Sequence, residues 1–194
     1  MFTGEQLTQL IDGKMIGEIY PYNTGDEEQV KAYLKRIQAE FAKYPRITCK
    51  PELENFGSGY ASYAAWFCCN EQDVRVSENK YTQEVECEGL WLNISLLAPV
   101  VIIGTGITND TYAVEDGRWL NGSKSMLQMP EELVIPARFK ELYQLLVRLV
   151  MKYHYTVLFK EELEKPLPFK LNIPTVFREP REYLVWDAIF YWED

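Results

Sequence analysis

Residues 89–103 (Gly-Leu-Trp-Leu-Asn-Ile-Ser-Leu-Leu-Ala-Pro-Val-Val-Ile-Ile) are apolar almost throughout, and Glu84-Val85-Glu86-Cys87-Glu88 runs directly into them. An alternating segment that becomes a continuous apolar one reads as a strand leaving a half-exposed sheet surface and entering a sheet buried on both faces. In extended chain Glu84, Glu86 and Glu88 share one face, with Val85 and Cys87 on the other. The stretch from Leu90 to Ile103 is too short to span a bilayer and is interrupted by Asn93, Ser95 and Pro99. It predicts a buried strand pair or one bent strand, and so a sheet with one acidic surface.

The 194 residues suit a single globular domain, 1–194, that can close a large core without metal or disulfides. A hydrophobic fraction of 47% with 25% charged residues belongs to a packed fold and not to a disordered chain. The formal charge of -9 repels phosphate backbones and anionic lipid, so neither nucleic acid nor membrane is an expected partner. Met1 is followed by Phe2-Thr3-Gly4-Glu5-Gln6, without the basic start and apolar core of a secretory signal, and a cytoplasmic location is expected. In that compartment Cys49, Cys68, Cys69 and Cys87 are expected as reduced, buried thiols.

Thr3 and Gln6 form a capping-box pattern before Leu7, Leu10 and Ile11, which predicts a short opening helix. Thr24 and Glu27 repeat the pattern before Val30, Tyr33, Leu34, Ile37 and Phe41, predicting a second helix that ends near Tyr44-Pro45. Gly57, Ser58 and Gly59 mark a turn or bulge before a strand over 60–69, and Asn70 to Lys80 reads as a polar connection to another strand over 81–88. That link has no room for a crossover helix, so the pairing is antiparallel. Residues 104–122 are rich in Gly, Asn and Asp and read as loop. Pro136 reads as the first residue of a third helix, with Phe139, Leu142, Leu145, Leu146, Leu149, Val150 and Tyr153 on its apolar face. A strand over 155–159, a proline-rich connection and an apolar run over 183–192 that must dock complete the chain. Helices at both ends of a block of strands, without β-α-β alternation, predict an α+β fold with a mostly antiparallel sheet flanked by two or three helices.

The residues that carry chemistry are sparse. His154 is the single histidine, lies between two tyrosines at the end of the third helix, and reads as a structural cap there. Adjacent Cys68 and Cys69 point to opposite faces of a strand and cannot grip one ion together, so no metal site is expected. Gly104-Thr105-Gly106 lacks the third glycine and the helix of a dinucleotide loop, and no Walker or nucleophile-elbow motif occurs, so no cofactor is expected. The regular spacing of Glu84, Glu86 and Glu88 gives all three similar surroundings, whereas an acid and base pair needs unequal ones. No catalytic residue is therefore assigned.

What remains is charge. Asp73, Glu84, Glu86 and Glu88 concentrate acidity near Trp91, and these five are the candidate interaction residues, with Tyr81, Tyr112 and Trp119 as further aromatic anchors. The expectation is a non-catalytic binding protein that neutralises a basic protein partner, by analogy an immunity or inhibitor protein facing a toxin such as a nuclease. The alternatives are a carboxylate-based hydrolase, and a homo-oligomer subunit joined through the aromatic C-terminal run.

Overall fold

The structure is a computed structural model that describes residues 2–53, 59–173, 175–176 and 182–193. Its centre is the hairpin of β5 (Thr82–Ser95) and β6 (Val100–Ala113), paired antiparallel over almost their whole length. The sequence dictates the turn between them. Ser95 accepts from the backbone N–H groups of Leu97 and Ala98 at 3.2 Å each, and Pro99 cannot extend the ladder on its own nitrogen. The apolar run is thus a strand pair.

Around this hairpin β1 (Ile47–Glu52), β3 (Tyr63–Asn70) and β7 (Trp119–Lys124) complete the order β1-β3-β5-β6-β7. β4 (Val74–Glu78) pairs with the first half of β5, and the short β8 (Thr156–Val157) joins β6 in parallel. A separate pair is made by β2 (Tyr60–Ala61) and β9 (Trp192–Glu193). The fold is α+β with a mostly antiparallel seven-stranded sheet.

Period-two alternation divides the buried side chains of the sheet between two helical layers. On one face Trp66, Cys68, Leu90, Leu92, Ile94, Val101 and Ile103 pack against α2 (Glu27–Phe41) and α3 (Lys140–Lys152). Tyr22 closes the end of this layer, its hydroxyl donating to the Ser95 carbonyl at 2.6 Å and lying 3.0 Å from the Tyr155 hydroxyl. On the other face Tyr63, Ala65, Phe67, Cys69, Cys87, Trp91 and Ile102 meet α1 (Gly4–Ile11) and α5 (Val185–Ile189). The short α4 (Lys160–Leu163) contributes Leu163 to that second layer. On β5 the buried clusters begin at Cys87, and on β6 they end at Ile103. The outer halves of the two longest strands therefore project beyond the helices.

Several local expectations change. α2 is capped by Asp26, which accepts from Glu28 N–H at 3.0 Å, while Thr24 accepts from Asp26 N–H; the helix stops at Phe41. An Asx side chain one residue from the first turn outcompetes the more distant threonine. The segment 104–122, expected as loop, continues β6 to Ala113 and returns as β7, and 70–80 holds a 3-10 turn and β4. Polar and glycine-rich sequence there is surface strand, because the helices do not reach it. Pro136 precedes a 3-10 turn (Ala137–Phe139), and α3 begins at Lys140. The C-terminal run docks as α5 plus β9, with Trp186, Ile189, Phe190 and Tyr191 buried. Gly57 and Ser58 lie outside the described residues. The expectation of four thiols is corrected by a Cys49–Cys68 disulfide between β1 and β3; Cys69 and Cys87 are free and buried.

Candidate functional site

The uncovered end of the sheet holds most of the sequence-derived candidates. Glu84, Glu86 and Glu88 share one face, and register places Arg75 of β4 opposite Glu86. Arg75 pairs with Glu86 at 3.1 Å and Glu88 at 3.2 Å, and Arg138 also pairs with Glu88. Two of the three carboxylates are thereby partly neutralised. Glu84, opposite Ser77, is exposed. Asp73 lies in the turn before β4, where it accepts from Asn70 Nδ2 at 2.7 Å. Trp91 is on the other face, only 4% exposed, with its ring 5.0 Å from Phe67. The five candidates are thus divided between the two sides of one sheet.

Aromatic side chains do reach the surface at this end. Tyr81, in the β4–β5 connection, is 71% exposed, and Trp119 at the start of β7 is 56% exposed. Val76 on β4 and Val114, whose N–H donates to the Tyr81 carbonyl at 3.0 Å, are also exposed. Residues 74–88 and 107–124 together carry seven carboxylates against four cations, so the apolar groups sit within acidic surface.

A second feature lies on the concave side, around Trp91 and Trp119, which the sequence reading takes only as anchors for a protein partner. Lys50 on β1 and Asp110 on β6 are separated by β3 and β5, about 14 Å in a flat sheet at ordinary strand spacing. Here Lys50 Nζ is 3.5 Å from Asp110 Oδ2, so side chains reach across a curled sheet. Trp119 donates its indole N–H to the other Asp110 oxygen at 3.1 Å. Beneath them is a cleft of about 270 Å3 floored by Phe67, Trp91 and Thr108. Glu52 and Lys124 line it from its two walls. Burial lowers the Lys124 pKa, opposed by the negative charges of Glu52 and Asp110.

Glycines make the room. A Cβ on Gly106 would stand 2.2 Å from Trp91 Cδ1, and one on Gly122 would stand 2.7 Å from Asp110 Oδ1. Next to the floor lie the free Cys69 and Cys87 thiols, whose interaction holds that of Cys69 below its usual range and raises that of Cys87. The signal for this cleft was present in the alternation Gly106, Thr108, Asp110 and in Lys50 and Glu52 two apart, but a loop assignment over 104–122 concealed it. Among the described residues no group of three or more His, Cys, Asp or Glu side chains could hold a metal ion, and no helix is long and apolar enough to cross a membrane.

Neither a protein-family profile, nor a curated protein, nor a solved structure matches the chain significantly.

Proposed function

We propose that this chain is a non-catalytic binding protein that masks a basic protein partner, such as a toxin, with the uncovered end of its sheet. The observation that carries the reading is the place where the helical layers stop. Beyond Cys87 and Ile103 the strands continue past the helical layers and present Tyr81 and Trp119 amid an excess of carboxylates. Exposed aromatic side chains on a surface of net negative charge suit a charge-steered protein interface. Glu84 is the exposed member of the glutamate stripe that faces such a partner, while Glu86 and Glu88 hold Arg75 in place. The hydrolase alternative is weaker, because Asp110 is engaged by Lys50 and the Trp119 N–H, and Glu86 and Glu88 by Arg75, so these carboxylates are committed to structural contacts.

The Cys49–Cys68 bond weighs against the cytosolic location expected from sequence, since reducing compartments keep such pairs open. Fractionation with thiol trapping decides the compartment.

The test is affinity capture from the native cell, followed by calorimetry with the purified partner at low and high salt. Glu84→Lys is expected to weaken association by about tenfold and to flatten its salt dependence. Tyr81→Ala and Trp119→Ala are each expected to cost about 2 kcal/mol. A partner that binds all three variants and the parent alike, at any salt, rules the interface out.

A further inference from the structure

The concave cleft is separate from the glutamate stripe, and its chemistry differs. We propose that it binds a small zwitterion bearing a flat apolar group, of the aromatic amino acid class, with the ligand carboxylate toward Lys50 and Lys124 and its ammonium toward Asp110 and Glu52.

Charge arrangement is the first argument. The cleft carries two cations and two anions, interleaved across its walls. A ligand of one sign meets as many like charges as unlike ones and gains little. A ligand with one charge of each sign can pair with both sets. The Lys50–Asp110 contact is 3.5 Å long, beyond the ordinary hydrogen-bond range, and costs little to exchange for a ligand's charges.

Size and lining supply the second. At about 270 Å3 the cleft lies just below the usual span for small-molecule pockets, roughly 300 Å3 and upward, which restricts it to a ligand the size of one amino acid. Phe67 and Trp91 form an aromatic floor and Trp119 stands at the wall, so a planar side chain finds aromatic surface on more than one side.

The probes are L-phenylalanine, phenethylamine, which lacks the carboxylate, and 3-phenylpropionate, which lacks the ammonium. Binding is followed by calorimetry and by the fluorescence of Trp91 and Trp119. L-phenylalanine is expected to bind saturably, and each single-charge analogue to bind at least about tenfold more weakly. Asp110→Asn and Lys124→Gln, each checked for an unchanged melting profile, are expected to weaken L-phenylalanine by a similar factor. Lys124 is exposed on edge strand β7, so its variant serves if Asp110→Asn does not fold. Absence of saturable L-phenylalanine binding, equal binding of the three probes, or indifference to Lys124→Gln overturns the assignment. Trp119 belongs to both surfaces, but Tyr81 and Glu84 do not line the cleft, so Tyr81→Ala and Glu84→Lys test the interface alone and Lys124→Gln the cleft.

Discussion

Cys49 of β1 and Cys68 of β3 oppose each other directly across the ladder, their Cα atoms 4.2 Å apart, and a disulfide joins them. The bond fastens an edge strand that otherwise depends on one neighbour, and it closes a loop with a sequence separation of 19. Loops of this size give about 3 kcal/mol through restriction of the unfolded chain. Reduction, or Cys49→Ser with Cys68→Ser, is expected to lower the unfolding free energy by about 2–3 kcal/mol in urea. Unfolding without reductant should expose only the Cys69 and Cys87 thiols to a colorimetric reagent; reaction of all four would show that the bond is absent.

Glu40 on α2 joins the two helices of one layer through Lys152 of α3 at 2.8 Å, and Lys43 adds a second contact. The hydrogen bond from Lys152, then that from Lys43, pulls the Glu40 carboxyl down to about 2. A depressed carboxylate contributes stability that is whole above its unfolded value near ~4.3 and is lost as pH falls through the folded one. Glu40→Gln is therefore expected to flatten the acid limb of the stability curve between about pH 5 and 2 and to change little below it. A Glu40 carboxyl carbon whose NMR titration midpoint does not rise in Lys152→Gln contradicts this pairing.

Gly106 leaves the space that Trp91 fills, since an added Cβ would meet Trp91 Cδ1 at 2.2 Å and Ser125 Oγ at 2.6 Å. Neither group is free to swing away, because Trp91 is packed on Phe67 and Ser125 Oγ accepts from Ile107 N–H at 2.9 Å. Gly106→Ala is expected to cost about 1–3 kcal/mol and to shift the fluorescence of the displaced indole. An unchanged spectrum together with unchanged stability would place Trp91 elsewhere.

These glycines show where sequence reasoning stops. The alternation of Glu84, Val85, Glu86, Cys87 and Glu88 and the apolar run after it contain the sheet, its two-sided burial and the inward Cys87, because side-chain period alone fixes those. Helical spacing likewise gives the buried faces of α2 and α3. Gly104, Gly106 and Gly122 mislead, since the same residue type marks a turn or a close approach between chain and ring, and only the tertiary neighbour tells which. The ion pairs of Glu86 and Glu88 with Arg75 follow from a β4–β5 register that depends on a strand expected as a polar connection. The Lys50–Asp110 contact requires sheet curvature, which no local window encodes.

His154 closes α3 with φ of 65°, in the left-handed region that a glycine occupies at lower cost, and donates its backbone N–H to Met151 at 3.0 Å. Its ring is exposed, so the residue acts through its backbone. His154→Gly is expected to raise stability by up to about 1 kcal/mol, and His154→Ala to leave partner binding unchanged. Loss of binding in His154→Ala with stability retained would give the imidazole a functional part.

Tyr191 decides between two uses of the C-terminal aromatic run, an oligomer contact or an internal one. It is buried, its N–H donates to Ser62 Oγ at 2.9 Å, and the Ser62 N–H donates back to the Tyr191 carbonyl at 3.0 Å. Trp192 then pairs with Ala61 in the small sheet. The reciprocal bonds satisfy a buried serine whose hydroxyl would otherwise be costly, so the segment is built into the fold of its own chain. Deletion of residues 191–194 is expected to destabilise the protein by several kcal/mol, on the order of losing one large core aromatic with its hydrogen bonds, and to leave the sedimentation coefficient of the folded fraction unchanged. Ser62→Ala, a gentler change, is expected to cost about 1–3 kcal/mol in the same direction. If the truncated chain keeps its full stability and falls from a larger assembly to a monomer, the run belongs to a subunit interface.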